Sequence, residues 1–443
     1  MDDNPALMAR QAVSRIFRNA RVLLTGKAVG GILSLAYLAI AARNLGPTQL
    51  GYLVLAHAYL LVIVGISRFQ SWQAVIRFGA PMLEEGKEQD FKTLVRFTAK
   101  VDICSGFFAV ALALGLADFA RQWMDWPPEA MKLVYIYCFA GPFLMAATPT
   151  GVLRLFDEFK TLGLQLALLP IVRFIGALIL WATGAGLEGF LIVWIISAFM
   201  HGSSLWYLGW RALKRRNLLP ALRPAGGEKA PRNWFPFMVK TNLTATLDML
   251  QNEFPVLLVG AVLGGAASGF LQLATNLSNL VAHPTNMLNE ATFPELSKTF
   301  AAKGVKAVRD IAIRSARTGT LFAAPIVAIY ILLREYLALI VGGPEFKAAA
   351  ILIALMASAQ LFRVVSVVFQ SAVVAIGRAG TVLGAQAISA IINIGLMTLL
   401  LPRIGPSGAP LSIMAAWICL ISMHLMAIQR GINAEHGQNA NKT

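Results

Sequence analysis

The sequence predicts an all-α polytopic membrane protein, with about twelve transmembrane helices in two duplicated six-helix lobes. The chain has 443 residues, of which 57% are hydrophobic and 14% are charged, whereas soluble proteins carry about 25% charged residues. Many apolar runs reach the roughly 20 residues that cross a bilayer as a helix. One stretch also occurs twice at a fixed offset, which indicates an internal duplication.

The repeated stretch reads LGPTQLGYLVLA at 45–56 and LGGAASGFLQLA at 263–274. Each copy lies between two long apolar segments, so its glycines predict a tight turn and close helix packing. Two weaker matches follow in the same order, at 159–163 with 379–384 and at 186–189 with 405–408. Three matches at nearly constant offset favour a duplication over chance.

The predicted order is a basic amphipathic segment at 1–21, a six-helix lobe at 22–209, a basic linker at 210–233, a second lobe at 234–429 and a tail at 430–443. Most of the 38 lysines and arginines fall at the two ends and in the even-numbered loops. Because positive residues favour the cytoplasmic side, we expect both termini in the cytoplasm. The predicted spans are 22–42, 50–67, 98–118, 131–152, 161–183, 187–209, 234–260, 264–283, 314–341, 347–374, 380–401 and 406–429.

Charge and ligand-forming residues exclude several classes of protein. The net charge of +16 does not indicate nucleic-acid binding, because the basic residues lie in loops between spans. The five histidines are scattered without the spacing of metal ligands, so no metal site or cofactor is expected. The three cysteines all fall inside predicted spans and therefore predict no disulfide framework.

Several short motifs resemble one family of exporters. Residues 41–47 (AARNLGP), followed by Gly51 and Tyr52, with FPELS at 293–297 and NIG at 393–395, are similar to the polysaccharide repeat-unit (O-antigen or exopolysaccharide) flippases. That superfamily also contains multidrug-and-toxin extruders and the lipid II flippase. The chain ends just after the twelfth predicted span, which argues against the lipid II flippase branch and its extra helices.

The resemblance implies two six-helix bundles that form a V and alternate their opening, and the basic residues inside the spans predict that the central cavity is cationic. It implies transfer of undecaprenyl-pyrophosphate-linked oligosaccharide from the cytoplasmic to the outer leaflet of the bacterial inner membrane, for lipopolysaccharide or other surface polysaccharide biosynthesis. The implied partners are the bilayer, the lipid-linked glycan and polysaccharide assembly proteins. Coupling to H⁺ or Na⁺ is left open.

Four basic residues lie inside predicted spans, where a charge marks a transport pathway or a pair. Lys27 and Lys240 are near span ends and either extend to the headgroups or bind substrate. Arg173 and Arg363 are too deep for that. Each is either paired with a buried carboxylate or forms a cationic site for an anionic headgroup. An arginine suits such a site, because its planar guanidinium matches the oxygens of a phosphate.

Span seven is the most polar, and its polar residues recur at helical spacing on one face. Asp248 on this face either pairs with an arginine or binds the coupling ion, and these two hypotheses stay open. Glu253 flanks the face and is predicted to have the same ion-coupling or charge-pairing role, and Pro255 predicts a kink. The other residues of the face are Thr241, Thr244 and Asn252.

Arg68 and Arg77 surround an aromatic stretch at the cytoplasmic end of span two. They either anchor the helix end at the interface or dock an incoming pyrophosphate headgroup. Both interpretations remain open from the sequence.

Two other functions compete with the flippase. A cation-coupled multidrug extruder of the same superfamily would be expected to have an acidic, aromatic site, whereas the charges inside these spans are mainly basic. A membrane polysaccharide polymerase or ligase generally needs a large outer loop, and the predicted outer loops are short. The sequence also lacks the local motifs of nucleophile and phosphate-binding enzymes, so we expect no enzyme.

Overall fold

The computed structural model describes residues 5–124, 126–221 and 234–440, with side chains left undescribed at 5–25, 27, 240, 244, 248, 250, 282–294, 301, 379 and 436–440. All regular structure in the described ranges is helical, which confirms the all-α prediction. The helices are α1 (Pro5–Ser67), α2 (Ser71–Glu84), α3 (Glu88–Met124), α4 (Pro128–Cys138), α5 (Ala147–Leu155), α6 (Phe159–Thr183), α7 (Leu187–Arg215), α8 (Trp234–Leu263), α9 (Gly265–Leu332), α10 (Arg334–Gly342), α11 (Ala350–Ala375), α12 (Ala379–Ile404) and α13 (Gly408–Ala440).

Seven helical segments of the described chain are long and apolar enough to cross a membrane, or eight if one bent pair counts as a span. Two of them, Ala28–Glu84 and Gly380–Glu435, contain 57 and 56 residues, which at about 20 residues per crossing is enough for two crossings each. Large apolar side chains such as Leu164 and Leu332 are 77% and 78% exposed, as expected for a surface in lipid. The chain is therefore a multi-pass membrane protein, and the count of twelve spans stays a prediction.

One predicted span is not a continuous helix. The range 131–152 is divided between α4 and α5, which are joined by a 3₁₀ turn at Gly141–Leu144. The two parts are bent by 60°. Pro142 at the start of the turn cannot donate a backbone hydrogen bond, which ends the helix there.

The duplication is visible in the backbone dihedral angles. Residues with positive φ interrupt or end helices at matching places in the two halves. The matching pairs, with their offsets, are 46 and 264 (218), 86 and 304 (218), 157 and 377 (220), and 184 and 405 (221). All of these residues except Asp157 are glycines, because residues with a Cβ rarely adopt positive φ. The same sequence of helix breaks thus recurs along the chain.

The two copies of the repeated stretch pack directly against each other. A Cβ on Gly51 would overlap the carbonyl oxygen of Gly265, and one on Gly269 would overlap the carbonyl oxygen of Pro47. Gly46 and Gly264 form the turns, with φ of 69° and 82°. The turn and close packing expected from these glycines are confirmed.

The chain forms two compact units. Unit 1 comprises Met1–Asn44, Tyr59–Gln122 and Pro127–Thr246, and unit 2 comprises Leu45–Ala58, Trp123–Trp126 and Leu247–Thr443. Residues 45–58 group with unit 2 and residues 234–246 with unit 1, and the predicted lobe boundaries stay predictions. The predicted linker at 210–233 is described only up to residue 221, so this boundary stays a prediction.

Each unit has its own apolar core. In unit 1, α6 packs on α7, and α5 packs on α2 and α7, around buried residues that include Phe91, Leu153 and Leu205. In unit 2, α11 packs on α9 and α13, with Phe369 and Ile428 among the buried side chains.

Candidate functional sites in the two units

A polar cavity of about 220 Å³ lies in unit 1 where two helices are interrupted. The first interruption, 68–70, separates α1 from α2, and the second, at Met145 and Ala146, precedes α5. Irregular backbone at membrane depth is tolerated where it lines a cavity or is buried in protein. The lining residues are Arg68, Gln70, Trp72, Leu144, Ala146, Ala147, Thr150, His201 and Leu205.

Asp102 of α3 connects both interruptions. Its carboxylate, in a residue only 2% exposed, accepts a hydrogen bond from Ser71 Oγ at the start of α2. It also accepts one from the backbone N–H of Thr148 in the first turn of α5, at 2.6 Å. An acceptor at a helix start satisfies an N–H that has no partner within the helix.

The aromatic wall of this cavity is held from both sides. Trp72 Nε1 donates to Gln70 Oε1 at 2.7 Å, and the guanidinium carbon of Arg154 lies 4.3 Å from the centre of the Trp72 ring. A cation over an indole face attracts the ring and fixes its orientation. Trp72 therefore offers a rigid surface beside Arg68.

His201 forms the opposite part of the lining, on α7. Gln165 Nε2 of α6 lies 3.0 Å from both His201 Nδ1 and the His201 carbonyl oxygen. The sequence interpretation assigned no function to His201. A lone histidine in an apolar span gives little sequence signal, and its place in the cavity follows only from the packing of α6 on α7.

Arg77 and Arg68, which the sequence treated as a pair, have different surroundings. Arg77 packs over Phe237, with 4.5 Å between its guanidinium carbon and the ring centre, and over Phe78 at 5.8 Å. It is not among the residues that line the cavity. Of the two arginines, only Arg68 lines this cavity.

Arg173 on α6 is surrounded by aromatic and hydroxyl groups. Its guanidinium carbon lies 4.2 Å from the ring centre of Trp194, its Nε donates to Ser197 Oγ at 3.1 Å, and it hydrogen-bonds to Tyr137. Trp194 in turn donates to the hydroxyl of Tyr37. These contacts of Arg173 are all to neutral groups, and its role in substrate binding stays a prediction.

A second polar cavity lies within unit 2, where α8, α9, α11 and α13 converge. Its volume is about 60 Å³. Arg363 is its charged lining residue, and the remaining polar lining is mostly amide side chains. The lining residues are Gln251, Asn252, Pro255, Val256, Leu271, Thr275, Asn279, Met356, Ala359, Gln360, Arg363, Ile413 and Trp417.

The structure does not place the remaining predicted site residues in either cavity. The side chains of Lys27, Lys240 and Asp248 lie outside the described residues. Glu253 is in α8 beside Asn252, but it is not one of the residues that line the unit 2 cavity. The roles predicted for these four residues therefore stay predictions, as does the pairing of Asp248 with an arginine.

The sequence interpretation did not single out Asp102, Arg154 or amides of α9 such as Asn279. Asp102 carried a usable signal, because a carboxylate within an apolar span is rare and costly. The amides did not, because single Asn and Gln residues at helical spacing are common on any packed helix.

Comparison with solved structures gives the fold class. A multidrug resistance MATE family transporter of the MOP superfamily, in an inward-facing conformation, aligns with 91% of this chain and 96% of its own at a TM-score of 0.76 and 14% identity. The lipid II flippase MurJ, in an inward closed conformation, aligns with 92% of this chain and 87% of its own at a TM-score of 0.68 and 16% identity. The molecule is therefore a multi-pass membrane protein with the fold of the MATE and MurJ transporters.

The family is shown by sequence. The model of a family described as "Polysaccharide biosynthesis protein" matches residues 42–351, and the chain belongs to this family. The inner membrane protein YghQ of Escherichia coli (strain K12) is 30% identical over 289 residues, which cover 65% of this chain and 81% of that protein. The resemblance inferred from the motifs at 41–52, 293–297 and 393–395 is thereby confirmed at the level of the family.

Proposed function

We propose that this protein is a flippase that moves an undecaprenyl-pyrophosphate-linked oligosaccharide from the cytoplasmic to the outer leaflet of the bacterial inner membrane. Three observations support the proposal: the family is one of polysaccharide biosynthesis, a relative is an inner membrane protein, and the fold is shared with a lipid II flippase. In this model both termini are cytoplasmic.

The observation that carries the proposal is the unit 1 cavity at the two helix interruptions. Arg68 and Gln70 supply hydrogen-bond donors there and His201 adds a ring nitrogen, whereas the Thr150 hydroxyl donates to the carbonyl oxygen of Ala146. A guanidinium remains charged and matches two phosphate oxygens at once, so this lining suits a phosphate group. Trp72 adds a rigid ring that can pack against a sugar next to the phosphate.

In the proposed transport cycle, Arg68 binds the headgroup only while it crosses the membrane. The headgroup enters from the cytoplasmic leaflet, is held by arginine in a cavity shielded from lipid, and leaves on the outer face while the lipid tail stays in the bilayer. The helices alternate access to the two sides, with H⁺ or Na⁺ as the candidate coupling ion. Polysaccharide assembly proteins would act before and after the flippase.

Export in a strain that lacks the chromosomal copy tests the proposal. We expect Arg68→Ala to cause lipid-linked repeat units to accumulate on the cytoplasmic leaflet, because loss of a charge-assisted hydrogen bond weakens binding by about 1.5–3 kcal/mol. Arg68→Lys should retain part of the export. Arg77→Ala, which removes an arginine outside the cavity, is the matched control.

The readout is the amount of repeat unit on each leaflet, normalised to the amount of protein in the membrane. Normal export by Arg68→Ala at normal abundance would reject Arg68 as the headgroup site. A deletion strain without any accumulated repeat unit would reject the flippase itself.

A multidrug extruder is the second candidate, because the MATE transporter has the higher TM-score of the two transporters compared. Susceptibility to cationic drugs in an efflux-deficient strain separates the two functions. Drug resistance that depends on this chain, without any change in lipid-linked glycan, would favour the extruder.

A further inference from the structure

We propose that the unit 2 cavity is a sugar-recognition site, which binds hydroxyl groups of the glycan rather than its pyrophosphate. The inference rests on the proposed function, because it assigns a second part of the same substrate to a second cavity. It extends that function by identifying what Arg363 and its neighbouring amides recognise.

The first step concerns the direction of the hydrogen bonds. Gln360 Nε2 donates to Ser278 Oγ at 3.3 Å, and Gln251 Nε2 donates to the backbone oxygen of Gln386 at 3.2 Å. In both glutamines the amide nitrogen is thus used within the protein. The amide oxygens of both residues are acceptors, and at Gln360 a ligand must bring the donor.

Gln360 gives the second, independent observation. The residue is only 5% exposed, and its Oε1 is buried without a hydrogen-bond partner among the described residues. A buried acceptor without a donor costs about 1–3 kcal/mol. A ligand hydroxyl that donates to this oxygen would recover that free energy.

The third step compares ligand classes. A phosphate or carboxylate would be attracted by Arg363, but it has only acceptors and cannot donate to the buried amide oxygen of Gln360. A metal or drug cation would be repelled by Arg363. A sugar hydroxyl both donates and accepts, so it suits the amide oxygens and the guanidinium of the same cavity.

The volume of the cavity limits how the sugar binds. At about 60 Å³, the cavity takes one edge of a ring with its hydroxyls and not a whole oligosaccharide. Trp417 on α13 adds an aromatic surface, against which the apolar face of a sugar ring can pack. Recognition here would depend on which hydroxyls the first sugars present.

A binding experiment with two lipids tests this inference. Purified protein in lipid nanodiscs is titrated with undecaprenyl pyrophosphate and, separately, with the lipid-linked repeat unit extracted from the deletion strain. The variants are Gln360→Leu and Asn279→Leu, which remove hydrogen-bonding groups from the lining. Gln386→Leu changes a glutamine in the same unit that is equally buried, at 4% exposed, but does not line the cavity, and is the control.

We expect the wild type to bind the repeat-unit lipid at least tenfold more tightly than undecaprenyl pyrophosphate. Gln360→Leu and Asn279→Leu should each lose about tenfold in affinity for the repeat-unit lipid, the factor that corresponds to one hydrogen bond. Their affinity for undecaprenyl pyrophosphate should be unchanged. Gln386→Leu should match the wild type for both lipids.

Two results would overturn the assignment. Equal binding of both lipids by the wild type would show that no sugar is recognised, and equal loss of both lipids in the variants would assign the cavity to the pyrophosphate. Failure of the flippase proposal looks different, because the deletion strain would then contain no repeat-unit lipid to extract.

Discussion

Arg173 and Trp194 form a cation–π pair in unit 1, with 4.2 Å between the guanidinium carbon and the ring centre. Ser197 and Tyr137 accept hydrogen bonds from the same guanidinium. A charge within a span is thereby compensated by aromatic faces and hydroxyl oxygens. The arrangement fixes α6 against α7, so it suggests that Arg173 stabilises the unit.

We therefore expect Arg173→Ala to reduce stability more than substrate binding. Loss of the stacking and hydrogen bonds should cost about 1–3 kcal/mol. The apparent Tm of the detergent-solubilised protein should fall. Export per folded molecule should stay within about threefold of the wild type, which is a smaller change than the loss of one hydrogen bond to the substrate would cause. An unchanged Tm together with lost export would instead identify Arg173 as a substrate ligand.

Asp102 is expected to be a structural residue of the unit 1 cavity. Asp102→Ala leaves the Thr148 N–H and the Ser71 hydroxyl without their acceptor and should cost about 1–3 kcal/mol. Asp102→Asn keeps one carbonyl oxygen and should cost less. Thermal unfolding of both variants measures the difference, and equal stability of Asp102→Ala and the wild type would contradict this role.

The contact between the repeated stretches should be intolerant of any added side chain. Gly51→Ala places a Cβ against the carbonyl oxygen of Gly265, and overpacking of this kind costs about 1–3 kcal/mol. Gly115 is the control, because a Cβ there meets nothing within 4 Å and Gly→Ala within a helix stabilises by about 0.5–1 kcal/mol. The apparent Tm should therefore fall for Gly51→Ala and not for Gly115→Ala, and parallel shifts would show that the close contact is unimportant.

Glu435 of α13 supports the break in α9 at Gly304, where φ is 73°. Both carboxylate oxygens lie 3.0 Å from the backbone N of Val305, which donates to them. We expect Glu435→Ala to cost about 0.5–2 kcal/mol, as for loss of a helix N-cap. Hydrogen exchange of the amides just after Gly304 should accelerate, with Glu435→Gln intermediate, and unchanged exchange would show that the cap is not needed.

Hydrophobicity and the repeat predicted the architecture well, because both depend on patterns that extend over many residues. The positions of Gly46 and Gly264 could be matched from sequence alone, and their turns follow from the need for positive φ. The break between α4 and α5 was not predicted: Pro142 is a local signal for the end of α4, but the start of α5 is capped by Asp102 from another helix.

The site residues were harder to predict, because hydropathy gives depth in the membrane but not the direction in which a side chain points. Arg68 and Arg363 each line a cavity, whereas Arg77 and Arg173 pack on aromatic rings. The residue type is the same in all four cases, so it does not show which arginine lines a cavity. Their neighbours come from helices distant along the chain, so only the tertiary packing distinguishes them.

The contact between Gly51 and Gly265 consists of main-chain atoms on both sides. No side-chain hydrogen bond or ion pair at these two residues has to break when one helix moves along the other. Motion there would meet only the resistance of close packing, which changes little with pH or ionic strength. Movement of the two helices against each other at this contact would therefore require no change in protonation.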